Sequence, residues 1–496
     1  MEYQSTRNKS VRASAAEAIA RGISAEGGLF VPSELPRLTS ERLQALSKMK
    51  YADRAADILA EFLTDFTAEE IRECVTAAYG KNFAHEKIAP VVKLGDSARM
   101  LELWHGPTCA FKDMALQLLP HLLTRSMAKT AGGKEVAILV ATSGDTGKAA
   151  LDGFADVPGT RILVFYPHGG VSEVQYLQMA TQKGSNVGVC AVKGNFDDTQ
   201  TAVKKIFTDS EMAERLAAKN LVFSSANSIN WGRLVPQIVY YISAYCDMLE
   251  TGDIKLGEKV NVCVPTGNFG NILAAYYAKG MGLPIEKLIC ASNVNNVLTD
   301  FINTGVYDRR RDFVLTSSPS MDILISSNLE RLLFALAGED DKIVSGLMTA
   351  LTNDGVYTIP APMLEKLQAE FVGGFCDEEN TGKTIREVLD EHGYLCDTHT
   401  AVAVNVYKRY AERTGDSTKT IITSTANPYK FSNSILPALK EVPAGTSEFE
   451  QLRELNKLTG MAIPPQLLEL EGAAVRFEAV CPREEMAAFV QKSLDV

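Results

Sequence analysis

From about residue 98 onward, short apolar runs rich in β-branched residues alternate with glycine-rich turns and amphipathic helical stretches. That alternation restricts the chain to parallel α/β layers. The runs are Val136–Ala141, Arg161–Tyr166, Val187–Val192, Val260–Val264, Leu288–Ala291 and Thr420–Ser424. They lack a period of two, as strands do when helices cover both faces of a sheet. The stretch from Leu234 through Ile238, Val239 and Ile242 predicts one such covering helix. Two open α/β lobes are therefore expected.

The segment before this region has a different texture. Ser14 with Glu17 forms a capping box ahead of the Ala15–Ala20 run, and Gly22 closes the helix. Residues 36–90 read as mostly helical, with an apolar face of Ala56, Leu59, Phe62 and Leu63. The expected organisation is a small accessory domain over 1–95, two interleaved lobes over 96–441 and a C-terminal extension over 442–496. The acidic clusters 338–341 and 377–379 read as solvated loops.

The 496 residues carry a net charge of −11 with no basic block, which argues against nucleic acid and anionic membranes as partners. Unbroken apolar runs such as Val136–Ala141 are far too short to span a bilayer. The N-terminal Arg7, Lys9 and Arg12 are interrupted by Glu2 and Glu17, so the start reads as mature protein. Nine cysteines with no C-x-x-C spacing sit mostly in apolar segments and read as reduced core thiols of a cytoplasmic protein. No H-x-x-H or aspartate-rich spacing supports a metal site.

Open parallel sheets bind ligands beyond the carboxyl ends of their strands, where a glycine-rich loop and the next helix start offer N–H groups to an anion. Two loops fit: 141–148 (ATSGDTGK) and 265–271 (PTGNFGN). Neither has the spacing of a P-loop or of a dinucleotide fingerprint. Each is also compatible with a tight turn that needs glycine. Two anion loops suit two phosphorylated ligands, or a phosphorylated cofactor with a phosphorylated substrate. A third candidate is 104–113 (WHGPTCAFKD), where Lys112 stands at a helix start among apolar residues. Such surroundings disfavour its ammonium form, although a surface lysine resting on Phe111 fits the same pattern. His105 could orient this loop or be structural.

The ordered strings HGPTCAFKD, TSGDTGKAA, SSANSINWGRLVPQ, GNFGN and TSTANPYKF, with GISAEGGLFVP near the start, resemble the threonine synthases of the pyridoxal-phosphate family. The resemblance implies fold type II: two α/β lobes around the cofactor plus an N-terminal domain. It implies conversion of O-phospho-L-homoserine and water to L-threonine and phosphate, with pyridoxal 5'-phosphate as cofactor. Lys112 matches the Schiff-base lysine. Gly267, Asn268, Phe269, Gly270 and Asn271 match the cofactor loop, with Gly270 expected to let the phosphate approach the backbone. Many relatives carry Asp at the position of Asn271. Thr425 matches the hydroxyl that faces the pyridine nitrogen. The first loop is left for the substrate: Ser143, Gly144 and Thr146 as donors, with Asn230 and Arg233 beside them, Arg233 being equally compatible with a helix surface. A related lyase releasing a keto acid and a non-catalytic phosphometabolite sensor are the alternatives.

Overall fold

The computed structural model describes every residue except Ser143, and every side chain of the remainder except Asp197. The strands in chain order are β1 (Tyr3–Ser5), β2 (Arg12–Ala13), β3 (Phe30–Pro32), β4 (Val91–Leu94), β5 (Ala98–Glu102), β6 (Glu135–Ala141), β7 (Thr160–Pro167) and β8 (Val187–Lys193). They continue as β9 (Leu221–Ser224), β10 (Val260–Pro265), β11 (Ile285–Ser292), β12 (Val306–Asp308), β13 (Val356–Thr358), β14 (Phe371–Phe375), β15 (Thr420–Ser424) and β16 (Val480–Pro482).

Two sheets carry the two lobes. One is five-stranded in the order β16-β8-β7-β6-β9 and parallel throughout. The other is six-stranded in the order β14-β11-β10-β15-β5-β4, parallel except for β4 against β5. Every expected strand run lies in one of them. Residues from the chain's two ends also enter these sheets, through β4 and β16. The two expected α/β lobes are therefore both present.

The helix Trp231–Glu250 is buried from Trp231 through Met248. A helix apolar on all sides has to lie inside the molecule. N-terminal elements pack onto it: Tyr3 sets its ring edge-on to Trp231 at 5.3 Å and donates its hydroxyl to the carbonyl of Phe62 at 2.9 Å. The Ser14 capping box forms as expected, and Gly22 ends that helix at φ 71°.

Two expectations are corrected. In the helix Tyr51–Phe62 the core face is Ala55, Ile58, Leu59 and Phe62, continued by Leu63, while Ala56 is only half-buried. The acidic clusters are helix starts: Asp340 accepts from the N–H groups of Lys342 and Ile343, and Asp377 from that of Asn380. A carboxylate satisfies orphan donors there and suits the positive end of the helix dipole. All nine cysteines are buried and unbridged. No described helix is long and apolar enough to cross a membrane.

Candidate active site

Strands β5 and β15 are parallel neighbours, so their carboxyl ends emerge side by side. Beyond β5 the chain folds back on itself. Asp113 accepts from the Thr108 N–H at 2.9 Å and its hydroxyl at 2.6 Å, while Cys109 takes φ 59°. Phe111 N–H then donates to the carbonyl of Thr425 at 2.8 Å, and Asn427 N–H to that of Cys109 at 2.9 Å. These bonds hold Lys112 beside the end of β15, where Thr425 is buried.

Lys112 is half-buried just before the helix Asp113–Leu116, its Nζ 4.9 Å from the Phe111 ring centre and 3.1 Å from Ser320 Oγ. Its amine falls to about 8, chiefly because burial strips water from the ammonium. Lys430 and Arg233 push it further down, while Asp145 and Asp113 oppose them. A lysine so placed holds an appreciable neutral fraction near neutrality, as a nucleophile or proton carrier requires.

The second glycine-rich loop leads from β10 into the helix Gly270–Met281. Phe269 adopts a left-handed φ of 64°, which turns the loop sharply into the helix. Among the described residues, the N–H groups of Gly267, Asn268, Phe269 and Gly270 find no backbone acceptor. Successive unpaired N–H groups at a helix start make a phosphate cradle. A Cβ on Gly267 would stand 2.6 Å from the Ser320 carbonyl, so the loop cannot close with a side chain there. At Gly270 the same atom would meet Asn328 Nδ2 at 3.4 Å, an ordinary contact. The protein itself thus demands glycine at 267 rather than at 270. Asn268 is exposed. Asn271 turns its Oδ1 towards the hydroxyls of Tyr240 (2.7 Å) and Tyr241 (2.5 Å), and among the described residues its buried Nδ2 has no partner.

In the first loop, Ser143 lies outside the described residues. Thr142 Oγ1 accepts from the N–H groups of Gly144 (3.0 Å) and Gly147 (2.9 Å), folding the turn over the end of β6. Gly144 adopts φ 148°, and a Cβ there would collide with Gln175 at 2.6 Å. Thr146 is half-buried in the first turn of the helix Asp145–Phe154. Its neighbour Asp145, unremarked in the sequence, pairs with Lys430 Nζ at 2.8 Å, the two side chains 6% and 0% exposed. The Lys430 and Lys112 charges hold the Asp145 carboxyl far below its usual range despite burial.

Arg233 is 5% exposed. Its Nη1 donates to the carbonyl of Ala226 at 2.5 Å, and among the described residues its Nε has no partner and no carboxylate pairs with it. Burial lowers its guanidinium to about 10. An uncompensated buried guanidinium is a ready seat for an anion, and this is not a helix-surface arginine. Asn230 requires correction. Its Oδ1 caps the helix at Gly232 N–H (2.9 Å), and its Nδ2 donates to the carbonyls of Ile19 (3.0 Å) and Ser225 (3.1 Å). Both its amide hydrogens are thus spent on structure, and none is free to donate to a substrate. His105 is likewise engaged, with Nε2 2.8 Å from Glu102 Oε2 and its ring stacked on Trp104.

Four functional-looking groups escaped the sequence reading: Asp145, Lys430, Ser320 and the pair Asp397–His399. Lys430 had a signal, since it lies in the NPYKF string already singled out. Among the described residues no cluster of possible metal ligands occurs.

Family models described as threonine synthase N terminus, pyridoxal-phosphate dependent enzyme, and threonine synthase C-terminal match residues 2–79, 100–425 and 400–486. The chain is 44% identical over 460 residues to human threonine synthase-like 1, covering 90% of this chain and 61% of that protein's length. It is 38% identical to the threonine synthase of Pseudomonas aeruginosa, covering 92% and 94% of the two chains. A solved structure of threonine synthase from Brucella melitensis with pyridoxal phosphate bound superposes with a TM-score of 0.89 at 37% identity, covering 100% of both chains.

Pyridoxal phosphate calls for an amine that is neutral near neutral pH and a cradle of free N–H groups for its phosphate. Lys112 and the loop before Gly270 fit these needs, and the buried Nε of Arg233, unpaired among the described residues, leaves room for a further anion. The fold, the three matched segments and this donor set together make the chain a member of the threonine synthase family of pyridoxal-phosphate-dependent enzymes.

Proposed function

We propose that the protein converts O-phospho-L-homoserine and water to L-threonine and phosphate. The observation that carries this reading is one neutralisable amine, Lys112, with charges of both signs around it, in a site that offers two separate seats for anions. A phosphorylated amino-acid substrate beside a phosphorylated cofactor makes use of that pairing. The matched relatives carry the threonine synthase name over most of this chain.

In this reading the N–H groups of Gly267 to Gly270 bind the cofactor phosphate, and the Thr425 hydroxyl meets the ring nitrogen. When bound, the cofactor withdraws electrons from the substrate's α-carbon. Arg233, with Gly144 and Thr146, holds the substrate's phosphate and carboxylate, and Ser143 is assigned with them from its sequence position. Lys112 would take the Cα and Cβ protons in turn; phosphate leaves from Cγ, one proton is returned to Cγ to make the methyl group, water adds its hydroxyl at Cβ with its own proton passing to the released phosphate, and the second proton is returned to Cα. Proton shuttling by one group requires an amine that titrates near the working pH, which burial provides here.

The test is product analysis with O-phospho-L-homoserine. Threonine and phosphate in equal amounts are expected. A keto acid in place of threonine would identify the lyase alternative, and no turnover with no lysine-bound cofactor would favour a sensor.

A further inference from the structure

The turn Pro319–Met321 touches three parts of the site at once. The Ser320 carbonyl closes on Gly267, where a Cβ would stand 2.6 Å away. Its Oγ accepts from Lys112 Nζ at 3.1 Å, and among the described residues no other side chain hydrogen-bonds that amine. Its N–H donates to His399 Nε2 at 3.1 Å. Because Nε2 accepts, the ring proton sits on Nδ1, which faces Asp397 Oδ1 at 2.9 Å. Asp397 also takes the His399 N–H at 2.9 Å and the Thr400 hydroxyl. The Phe431 ring stands edge-on to the imidazole at 4.9 Å. Both members of the pair are buried, so carboxylate and aromatic ring together leave the imidazole one orientation.

We propose that His399 is a positioning residue for Lys112: held by Asp397, it fixes the Ser320 amide and thereby sets the Ser320 hydroxyl against the Lys112 amine. This rests on the reading of Lys112 as the cofactor-holding lysine. A plain N-cap would need Asp397 alone. What the imidazole adds is an acceptor one ring-width further out, at the height of Ser320. The hydroxyl can accept from the ammonium and donate to the neutral amine, so it follows Lys112 through both protonation states. The charged groups around the amine are Asp145, Lys430, Arg233 and Asp113. The turn has a second tether, the Thr398 hydroxyl to the carbonyl of Ser317 at 2.7 Å, so removing the imidazole need not release it.

The experiment follows the rate of pyridoxal phosphate uptake by the cofactor-stripped full chain across pH, since only the neutral amine attacks the aldehyde. Ser320→Ala takes an acceptor from the ammonium and should lower the midpoint by roughly 0.5 to 1 pH unit. His399→Leu should lower it similarly, His399→Gln should restore most of it by keeping an acceptor, and His399→Leu should add little on top of Ser320→Ala. An unmoved midpoint in His399→Leu, or a shift that adds in full to that of Ser320→Ala, would overturn the proposal. Should His399→Leu not fold, Asp397→Asn gives the same test, with a smaller downward shift expected and no shift overturning it. Borohydride fixation with peptide mapping separates the two levels: an adduct on a lysine other than Lys112 would reject the underlying assignment instead.

Discussion

Replacing Lys430 by Met leaves the Asp145 carboxylate buried with its counter-ion gone. The two atoms are 2.8 Å apart and neither side chain reaches water to any extent. Removing one member of such a pair costs about 3 to 5 kcal/mol, against about 1 kcal/mol or less for an exposed pair. Lys430 also donates to the carbonyl of Thr108 at 2.8 Å, which adds an orphaned acceptor to the loss. The folded-state carboxyl of Asp145 is depressed, so this stabilisation is present above the unfolded pKa of about 4 and fades only as pH falls through the folded value. The loss in Lys430→Met should accordingly be complete at neutral pH. The same substitution removes a positive neighbour from Lys112 while Asp145 stays, so the Lys112 midpoint should rise above about 8; Asp145→Asn should lower it. Urea denaturation of wild type, both single variants and the double variant, together with the pH dependence of cofactor uptake, reads both effects. The double variant should recover much of the stability, because no isolated charge remains. Single losses that sum in the double variant, or midpoints moving in the same direction, would refute the reasoning.

Further expectations concern neighbouring groups. Gly267→Ala forces a Cβ to 2.6 Å from the Ser320 carbonyl and should cost about 1 to 3 kcal/mol and lower the cofactor-to-protein ratio after dialysis, whereas Gly270→Ala should retain cofactor; equal retention would contradict the packing. Arg233→Met removes a charged hydrogen-bond donor worth about 1.5 to 3 kcal/mol, so inhibition by inorganic phosphate should weaken about tenfold or more. Unchanged competition would place the anion elsewhere. Asp113 is raised to about 7 by burial, so its contribution to stability is greatest below the unfolded value of about 4 and is lost as pH rises through about 7. The difference in melting temperature between wild type and Asp113→Asn should therefore drift in the variant's favour across that window, and parallel curves would rule this out.

The lobes were legible because parallel strands buried on both faces write themselves as continuous apolar runs, and β6, β7 and β10 did so. Short edge strands did not: β16 and β14 hold few apolar residues, and their pairing is decided by where the rest of the chain puts them. Lys112 was nameable only through the neighbouring strings, since its low proton affinity comes from desolvation and from charges on Lys430 and Arg233, far off in sequence. Asn230 carried a readable signal that was passed over, a side-chain amide directly before Trp231–Gly232 at a helix start, which is an N-cap pattern. Asp397 has the same local look and does cap its helix, yet it also holds His399. His399, two residues on, is the local difference, but what its ring faces is set only by the fold. Ser320 reaches Lys112 only through tertiary folding, so no spacing rule could have joined them.

The position of β15 between β10 and β5 bears on how the chain is made. Strand β5 ends at Glu102 and its partner at Ser424, so 424 − 102 = 322 residues separate them. At ribosomal speeds of about 5 to 20 residues per second, that gap lasts roughly 16 to 64 s, during which β5 and the facing side of β10 offer open backbone edges. Neither Lys112 nor the Gly267 loop can meet Thr425 before then, so the proposed cofactor site is completed only after residue 425 has been made. Arresting translation just short of Thr420 should yield nascent chains whose five-stranded lobe is incomplete only at β16, whose six-stranded lobe is protease-sensitive, and which take up no pyridoxal phosphate.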